Sequence, residues 1–278
     1  MTDAPRPALT DAPARKALGQ HFLFDPSILH RAATAAGPVK DRVVIEVGPG
    51  PGGLTRALLD EGAGTVIAVE TDPRFAEALT LWPEAKDGRL IVIQKDARKV
   101  NFEKLVEQAG ATQPAMVIAN LPYNVGTPLL VGWLKAGDWR GEMALMFQKE
   151  VAERICAAPG TDHYGRLAVL VQSATRPHIA FTLPPGAFTP PPKVDSAVAV
   201  LEPLPADQRF QHIDLLEQVS GAAFGQRRKM MRAALKPLAK KRGMKAAEWL
   251  ESVGIDPTAR AETLSQDDFR RLAASLAK

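Results

Sequence analysis

Cysteine is almost absent from this chain of 278 residues: Cys156 stands alone. A single thiol excludes an intrachain disulfide and a cysteine-based zinc cluster. Its place in a helical pattern predicts a buried core thiol. Long apolar runs are also missing. None approaches the ~20 residues that a membrane helix needs, so no membrane partner is expected. Residues 1–13 lack the apolar stretch of a secretory signal. Their proline and alanine content predicts a disordered tail over residues 1–15. The expectation is a soluble, reduced, cytoplasmic protein. Acid is missing from one window as well. Residues 226–245 hold nine Lys or Arg and no Asp or Glu, against a whole-chain net charge of +4, which leaves the remainder net −5. Positive charge gathered in this way points to a polyanion partner, with Arg227, Arg228 and Lys229 as candidate phosphate contacts. A solvated helical face would show the same run of residues.

What is present is an alternation of short strands and helices. Asp25-Pro26 is an N-cap followed by proline at the first helical position. Strands are expected at Arg42–Val47, Thr65–Val69, Leu90–Ile93 and Met116–Ala119, with Ala144–Phe147, Leu167–Val171 and Val198–Leu201 completing the set. The Leu167–Val171 run also suits a helix. Short apolar strands alternating with helices imply an α/β fold with a mainly parallel sheet, covered on both faces. After Glu202-Pro-Leu-Pro205 the pattern turns helical, over Asp214–Phe224, Arg227–Lys236, Lys245–Val253 and Gln266–Leu276. Ser265 with Asp268 is a capping signature for the last helix. The expected organisation is an α/β domain over 16–205 and a small all-helical domain over 206–278.

The turn after the first long strand reads Glu46-Val-Gly-Pro-Gly-Pro-Gly-Gly53. Gly48, Gly50 and Gly53 fit a Rossmann-like fingerprint, and Glu70 ends the next strand about twenty residues on, where an acid binds ribose hydroxyls. Glycines there let the backbone approach a ligand closely. Glu46, inside the strand end, is placed to receive an ammonium group or to organise the loop. Asp96-Ala97 follows the third strand, with the acid placed to meet an adenine amine. The fourth strand ends in Asn120-Leu-Pro-Tyr123, an amide, a backbone carbonyl and an aromatic face at one spot. Asn120 Oδ1 and the Leu121 carbonyl can accept the hydrogen bonds of an exocyclic amine, and Tyr123 can stack on the base. Each acid alone also suits a helix N-cap, and Asn-Pro alone suits a turn. Four polar strand ends along one edge match the rule that ligands bind at the carboxyl ends of parallel strands.

These segments resemble the small-subunit ribosomal RNA adenine dimethyltransferase family, relatives of the erythromycin-resistance methylases. The resemblance runs from Lys16 to the C-terminus. It rests on Leu18-Gly-Gln-His-Phe-Leu23, the Glu46–Gly53 loop, Asn120–Tyr123, Gln148–Arg154, Phe188–Ser196, Phe224–Lys229 and Arg260–Ser265. It implies a Rossmann-like methyltransferase domain, S-adenosylmethionine as methyl donor and no metal. It implies donor contacts from Gln20, His21, Leu23, Gly48, Glu70, Asp96 and Asn120, and the glycine loop and third strand end add Glu46, Gly50 and Ala97 as candidate donor contacts. His21 stands where many relatives carry Asn. The implied substrate is a pair of adjacent adenosines near the 3′ end of 16S rRNA in an immature small (30S) subunit, dimethylated at N6, with a further role in subunit maturation. Asn120, Leu121 and Tyr123 are the implied catalytic residues, and Phe188 would cover the second face of the base. None of the five histidines is assigned to proton transfer. A monomer is the default.

Three other readings share parts of this pattern. A nicotinamide oxidoreductase would show the same glycine loop but not the basic window. A non-catalytic RNA-binding factor could retain the cofactor fold. A DNA adenine methyltransferase usually carries Asp where Asn120 stands.

Overall fold

Short apolar runs rich in valine, isoleucine and alanine form the central strands. In chain order the strands are β1 (Phe22–Leu23), β2 (Val43–Val47), β3 (Thr65–Glu70), β4 (Leu90–Gln94), β5 (Ala115–Asn120), β6 (Arg140–Gln148), β7 (Thr175–Leu183), β8 (Phe188–Thr189) and β9 (Ser196–Pro203). The computed structural model describes residues 14–15 and 19–277. Most of the tail expected over 1–15, and Leu18 of the first motif, lie outside the described residues. Seven strands make one sheet in the order β4-β3-β2-β5-β6-β9-β7, while β1 and β8 pair antiparallel as a separate ribbon. The pairs β2–β3, β2–β5, β3–β4 and β5–β6 are parallel, and β6–β9 is antiparallel. Strand order reverses on either side of β2, so a switch-point crevice opens at the carboxyl ends of β2 and β5.

The central strands are buried on both faces. Val44, Ile45, Val66, Ile67, Ala68 and Val117 have no solvent exposure. Each buried Val or Ile stabilises the sheet by roughly 1.5–3 kcal/mol, which is why these strands read as unbroken apolar runs. The helix Pro26–Ala33 starts at Asp25, whose side chain accepts from the Ser27 and Ile28 amides. The helix Pro73–Thr80 starts in the same way at Asp72.

Leu167–Val171 is not a strand. It lies in the helix Arg166–Gln172, all five residues buried, and a run of five buried residues has no polar stripe to reveal its period. The extra strand is β7, at the end of the sheet order. An edge position tolerates Pro177, whose missing N–H would break a central ladder.

The chain divides into two compact units. The first comprises residues up to Ala152 with His178–Glu202, and the second comprises Glu153–Pro177 with Pro203 onward. The boundary expected at 205 therefore lies close to one crossing, but residues 153–177 group with the helical unit. The core of that unit contains Leu216, Val219, Phe269 and Leu272, with Phe224 stacked on Phe269 at 5.5 Å. Ser265 and Asp268 form the capping box expected of them. The single helix expected over Arg227–Lys236 is replaced by a turn at 225–229 and two short helices, Met231–Ala234 and Lys236–Lys241. Met230 is extended and pairs with Arg260 in an isolated bridge, which interrupts helical continuity. Cys156 is half-buried, and burial pushes its thiol up to about 11. Among the described residues no helix is long and apolar enough to cross a membrane.

Candidate active site

The glycine loop after β2 is shaped by backbone that other residues resist. Gly50 has φ +51° and Gly52 has φ +87°. A Cβ on Gly50 would lie 2.9 Å from the Phe22 ring, and one on Gly52 would lie 2.8 Å from the Trp82 ring. Gly52 was not among the fingerprint glycines, yet it has the tighter surroundings. The loop is tied to β3 by Glu70: one carboxylate oxygen accepts from the Gly50 amide at 3.0 Å, the other from the Asp72 amide at 2.7 Å. Burial raises the Glu70 pKa, partly offset by these N–H groups.

Glu46 is 1% exposed. Its Oε2 accepts from the Thr55 hydroxyl at 2.6 Å. Burial pushes its carboxyl up to about 8, and the neighbouring Glu70 adds to the rise. A carboxyl held in this state gains most from a cation placed beside it.

Asp96 caps the short 3-10 turn Ala97–Lys99 and grips the Arg98 guanidinium, with contacts of 2.7–3.2 Å. That partner holds its pKa down at about 2. The acid expected to face an adenine amine is therefore ionised and already engaged by Arg98. Its carboxylate retains acceptor capacity beyond these bonds.

At the end of β5, the Asn120 side chain donates from Nδ2 to the His21 carbonyl at 2.9 Å, leaving Oδ1 as its acceptor. Leu121 buries its side chain, and Pro122 turns the chain so that its carbonyl accepts from Val125 and Gly126. The Tyr123 ring stacks on the His21 ring, with centroids 5.4 Å apart and planes at 27°. Its hydroxyl meets the Ser196 hydroxyl at 2.6 Å. Burial raises the Tyr123 pKa, so the phenol stays neutral. His21 Nδ1 sits 2.7 Å from the Pro190 carbonyl, next to the cis Thr189–Pro190 bond.

These strand ends enclose a cavity of about 280 Å³. Its lining includes Gln20, His21, Leu23, Glu46, Gly48 and Gly50, and then Glu70, Asp96, Ala97, Asn120, Leu121 and Tyr123. Every expected site residue of the first unit is there except Phe188. That ring is 3% exposed and belongs to the core cluster. In the β1–β8 ribbon Phe188 pairs with Leu23, which is buried too, so both side chains point inward. Phe188 is a core residue here, not an exposed stacking surface. In the second unit Arg228 and Lys229 are exposed. Arg227 is not a free cation: its Nε lies 2.8 Å from Glu262. The missing acid of the basic window arrives from elsewhere in the sequence.

Sequence reasoning missed Thr55, Arg98 and Ser196 as partners of the site residues. Only Ser196 stood inside a motif already singled out.

The chain matches the family model described as ribosomal RNA adenine dimethylase over residues 12–278. The chain belongs to the ribosomal RNA adenine dimethylase family. Among curated relatives it is 50% identical to the ribosomal RNA small subunit methyltransferase A of Gluconobacter oxydans, covering 98% of this chain and 88% of that one. It is 52% identical to the protein of the same name from Mesorhizobium japonicum, covering 95% and 93%. Among solved structures it resembles a dimethyladenosine transferase from Plasmodium falciparum, with TM-score 0.76, 25% identity and coverage of 92% and 98%. The 23S rRNA methyltransferase ErmE shares the fold, with TM-score 0.63, 24% identity and coverage of 92% and 100%. As a member of this dimethylase family the chain is a methyltransferase that modifies ribosomal RNA adenine, on a Rossmann-like α/β domain.

The cavity suits S-adenosylmethionine. A buried carboxyl near neutrality matches a cationic ligand, and Glu70 and the positive-φ glycines offer acceptor groups and close backbone approach.

Proposed function

We propose that this enzyme dimethylates N6 of two adjacent adenosines near the 3′ end of 16S rRNA, within an immature small ribosomal subunit in the cytoplasm. S-adenosylmethionine is the methyl donor, and the enzyme takes part in subunit maturation. The names of its relatives support the small-subunit substrate. The observation that carries the chemistry is the Asn120–His21 hydrogen bond, which fixes the amide and leaves Oδ1 as an acceptor.

The donor-binding residues are Gln20, His21, Leu23, Glu46, Gly48, Gly50, Glu70, Asp96, Ala97 and Asn120. When bound, the donor supplies an activated sulfonium methyl carbon. The protein's own work is orientation and electrostatics. A flipped adenine gives its two N6–H groups to Asn120 Oδ1 and the Leu121 carbonyl. Both oxygens counter the positive charge that develops on N6. Tyr123 stacks on the purine and keeps it out of its helical stack. Once N6 is methylated its proton is acidic enough to leave to water, so no histidine base is required. Arg228 and Lys229 contact RNA phosphates, whereas Arg227 braces the turn through Glu262.

The test is to incubate unmodified small subunits with labelled S-adenosylmethionine and the enzyme, then to analyse nucleosides. N6,N6-dimethyladenosine at two neighbouring positions is expected. Label in a nucleoside other than N6-methyladenosine and its dimethyl product, or none on competent subunits, contradicts the proposal.

A further inference from the structure

Ser196 has no place in the chemistry described so far, yet it is tied to it. It opens β9 opposite Gln148 of β6 and is fully buried. Its hydroxyl meets the Tyr123 hydroxyl at 2.6 Å. The His21 ring lies on the face of Tyr123, and His21 is held by Pro190 and Asn120. A Tyr ring fixed at its hydroxyl and packed on one face has a set plane. The ring so held is one of the walls of the cavity.

The two methyl transfers depend on this wall to different degrees. Each transfer forms an N6–C bond as the donor's C–S bond breaks, the electron pair returns to sulfur, and the N6 proton passes to solvent water. Before the first transfer, adenine N6 has two N–H groups for Asn120 Oδ1 and the Leu121 carbonyl. Before the second it has one. Half of the hydrogen-bond positioning is gone, and the nitrogen is bulkier. Orientation of the monomethylated base then falls mainly on stacking against Tyr123. We propose that Ser196 is a positioning residue for the second transfer: by fixing Tyr123 it lets the enzyme carry N6-methyladenosine on to the dimethyl product. This rests on the stacking role given to Tyr123 above.

The experiment uses the full-length enzyme with unmodified small subunits and compares N6-methyladenosine with N6,N6-dimethyladenosine at matched total methyl incorporation. Matching removes any effect of a smaller folded fraction, which slows both steps equally. Ser196→Ala is expected to raise the mono-to-dimethyl ratio about tenfold, the scale of one hydrogen bond's net contribution. The loss appears in kcat of the second step, with KM for the donor unchanged. Tyr123→Phe removes the same bond without touching the buried strand position, and it should give the same shift even if Ser196→Ala does not fold. The double variant should be no worse than either single one. As a readout apart from turnover, affinity in the presence of S-adenosylhomocysteine should fall more for an RNA fragment carrying N6-methyladenosine than for the unmodified fragment. An unchanged ratio in both single variants, with Tyr123→Ala inactive, overturns the proposal and spares the stacking role. Tyr123→Ala with both transfers intact removes the stacking role itself.

Discussion

Asn120 Nδ2 donates to the backbone carbonyl of His21 across 2.9 Å, joining the end of β5 to the residue that precedes β1. One bond thereby sets the direction of the acceptor oxygen and anchors the ribbon that carries Phe22 and Leu23 past the glycine loop. Removing the side chain at 120 takes away an acceptor for charge developing on N6. Asn120→Ala should lower kcat at least 10²-fold, the scale of losing one preorganised electrostatic partner at a reacting centre. Binding of S-adenosylhomocysteine, measured by calorimetry, should stay within a few-fold of wild type. Equal loss of both would contradict the division of roles between Asn120 and the acids of the cavity.

Glu46 makes stability depend on pH. Its ordinary value is 4.5 and burial lifts it to about 8. Between those values the folded protein holds a proton that the unfolded chain has released, so stability falls as pH rises through this window, by up to about 1.4 kcal/mol per unit. Glu46→Gln should flatten the decline and raise stability at pH 8, read by urea unfolding across pH. The same variant should weaken binding of S-adenosylmethionine and S-adenosylhomocysteine alike, because both carry the ammonium group that Glu46 is placed to receive. An identical pH profile in both proteins would show that Glu46 is not buried neutral.

Gly52 is a structural requirement of the loop. With φ +87° and a Cβ position 2.8 Å from Trp82, alanine there meets both backbone strain and a clash with a buried ring. Gly52→Ala should destabilise the protein by ~2–3 kcal/mol, measured by urea or thermal unfolding. A loss below half a kilocalorie would show that the loop has another conformation available.

Arg228 and Lys229 differ from Arg227 in what they already hold. Charge reversal at Arg228 should weaken small-subunit binding and reduce the slope of log K against log salt by about one for each lost phosphate contact. Arg227→Ala breaks the partly exposed Glu262 pair, and its own effect on stability should be under about 1 kcal/mol. Unchanged affinity on reversal at Arg228 would mean that the window is only solvated.

Much of the candidate site was legible in the sequence because its residues stand at strand ends, and strand ends are marked by apolar runs stopping at a polar residue. Glu46, Glu70, Asp96 and Asn120 all announce themselves in this way and all line one cavity. Partners were less visible. Thr55 meets Glu46, and Ser196 meets Tyr123, across separations that no local pattern encodes. Phe188 was misplaced because an aromatic in a proline-rich loop looks the same whether it faces a ligand or the core. Only its pairing with Leu23 decides the face. The Leu167–Val171 run was ambiguous for the converse reason, since burial of all five residues erases amphipathic periodicity.

The most direct measurement is a crystal structure with S-adenosylhomocysteine and an RNA fragment carrying the target adenosines. The expected result is a flipped adenine whose N6 lies about 2.7–3.2 Å from both Asn120 Oδ1 and the Leu121 carbonyl, with its ring against Tyr123. An adenine seated elsewhere, or Asn120 turned with its Oδ1 away from N6, would contradict the mechanism.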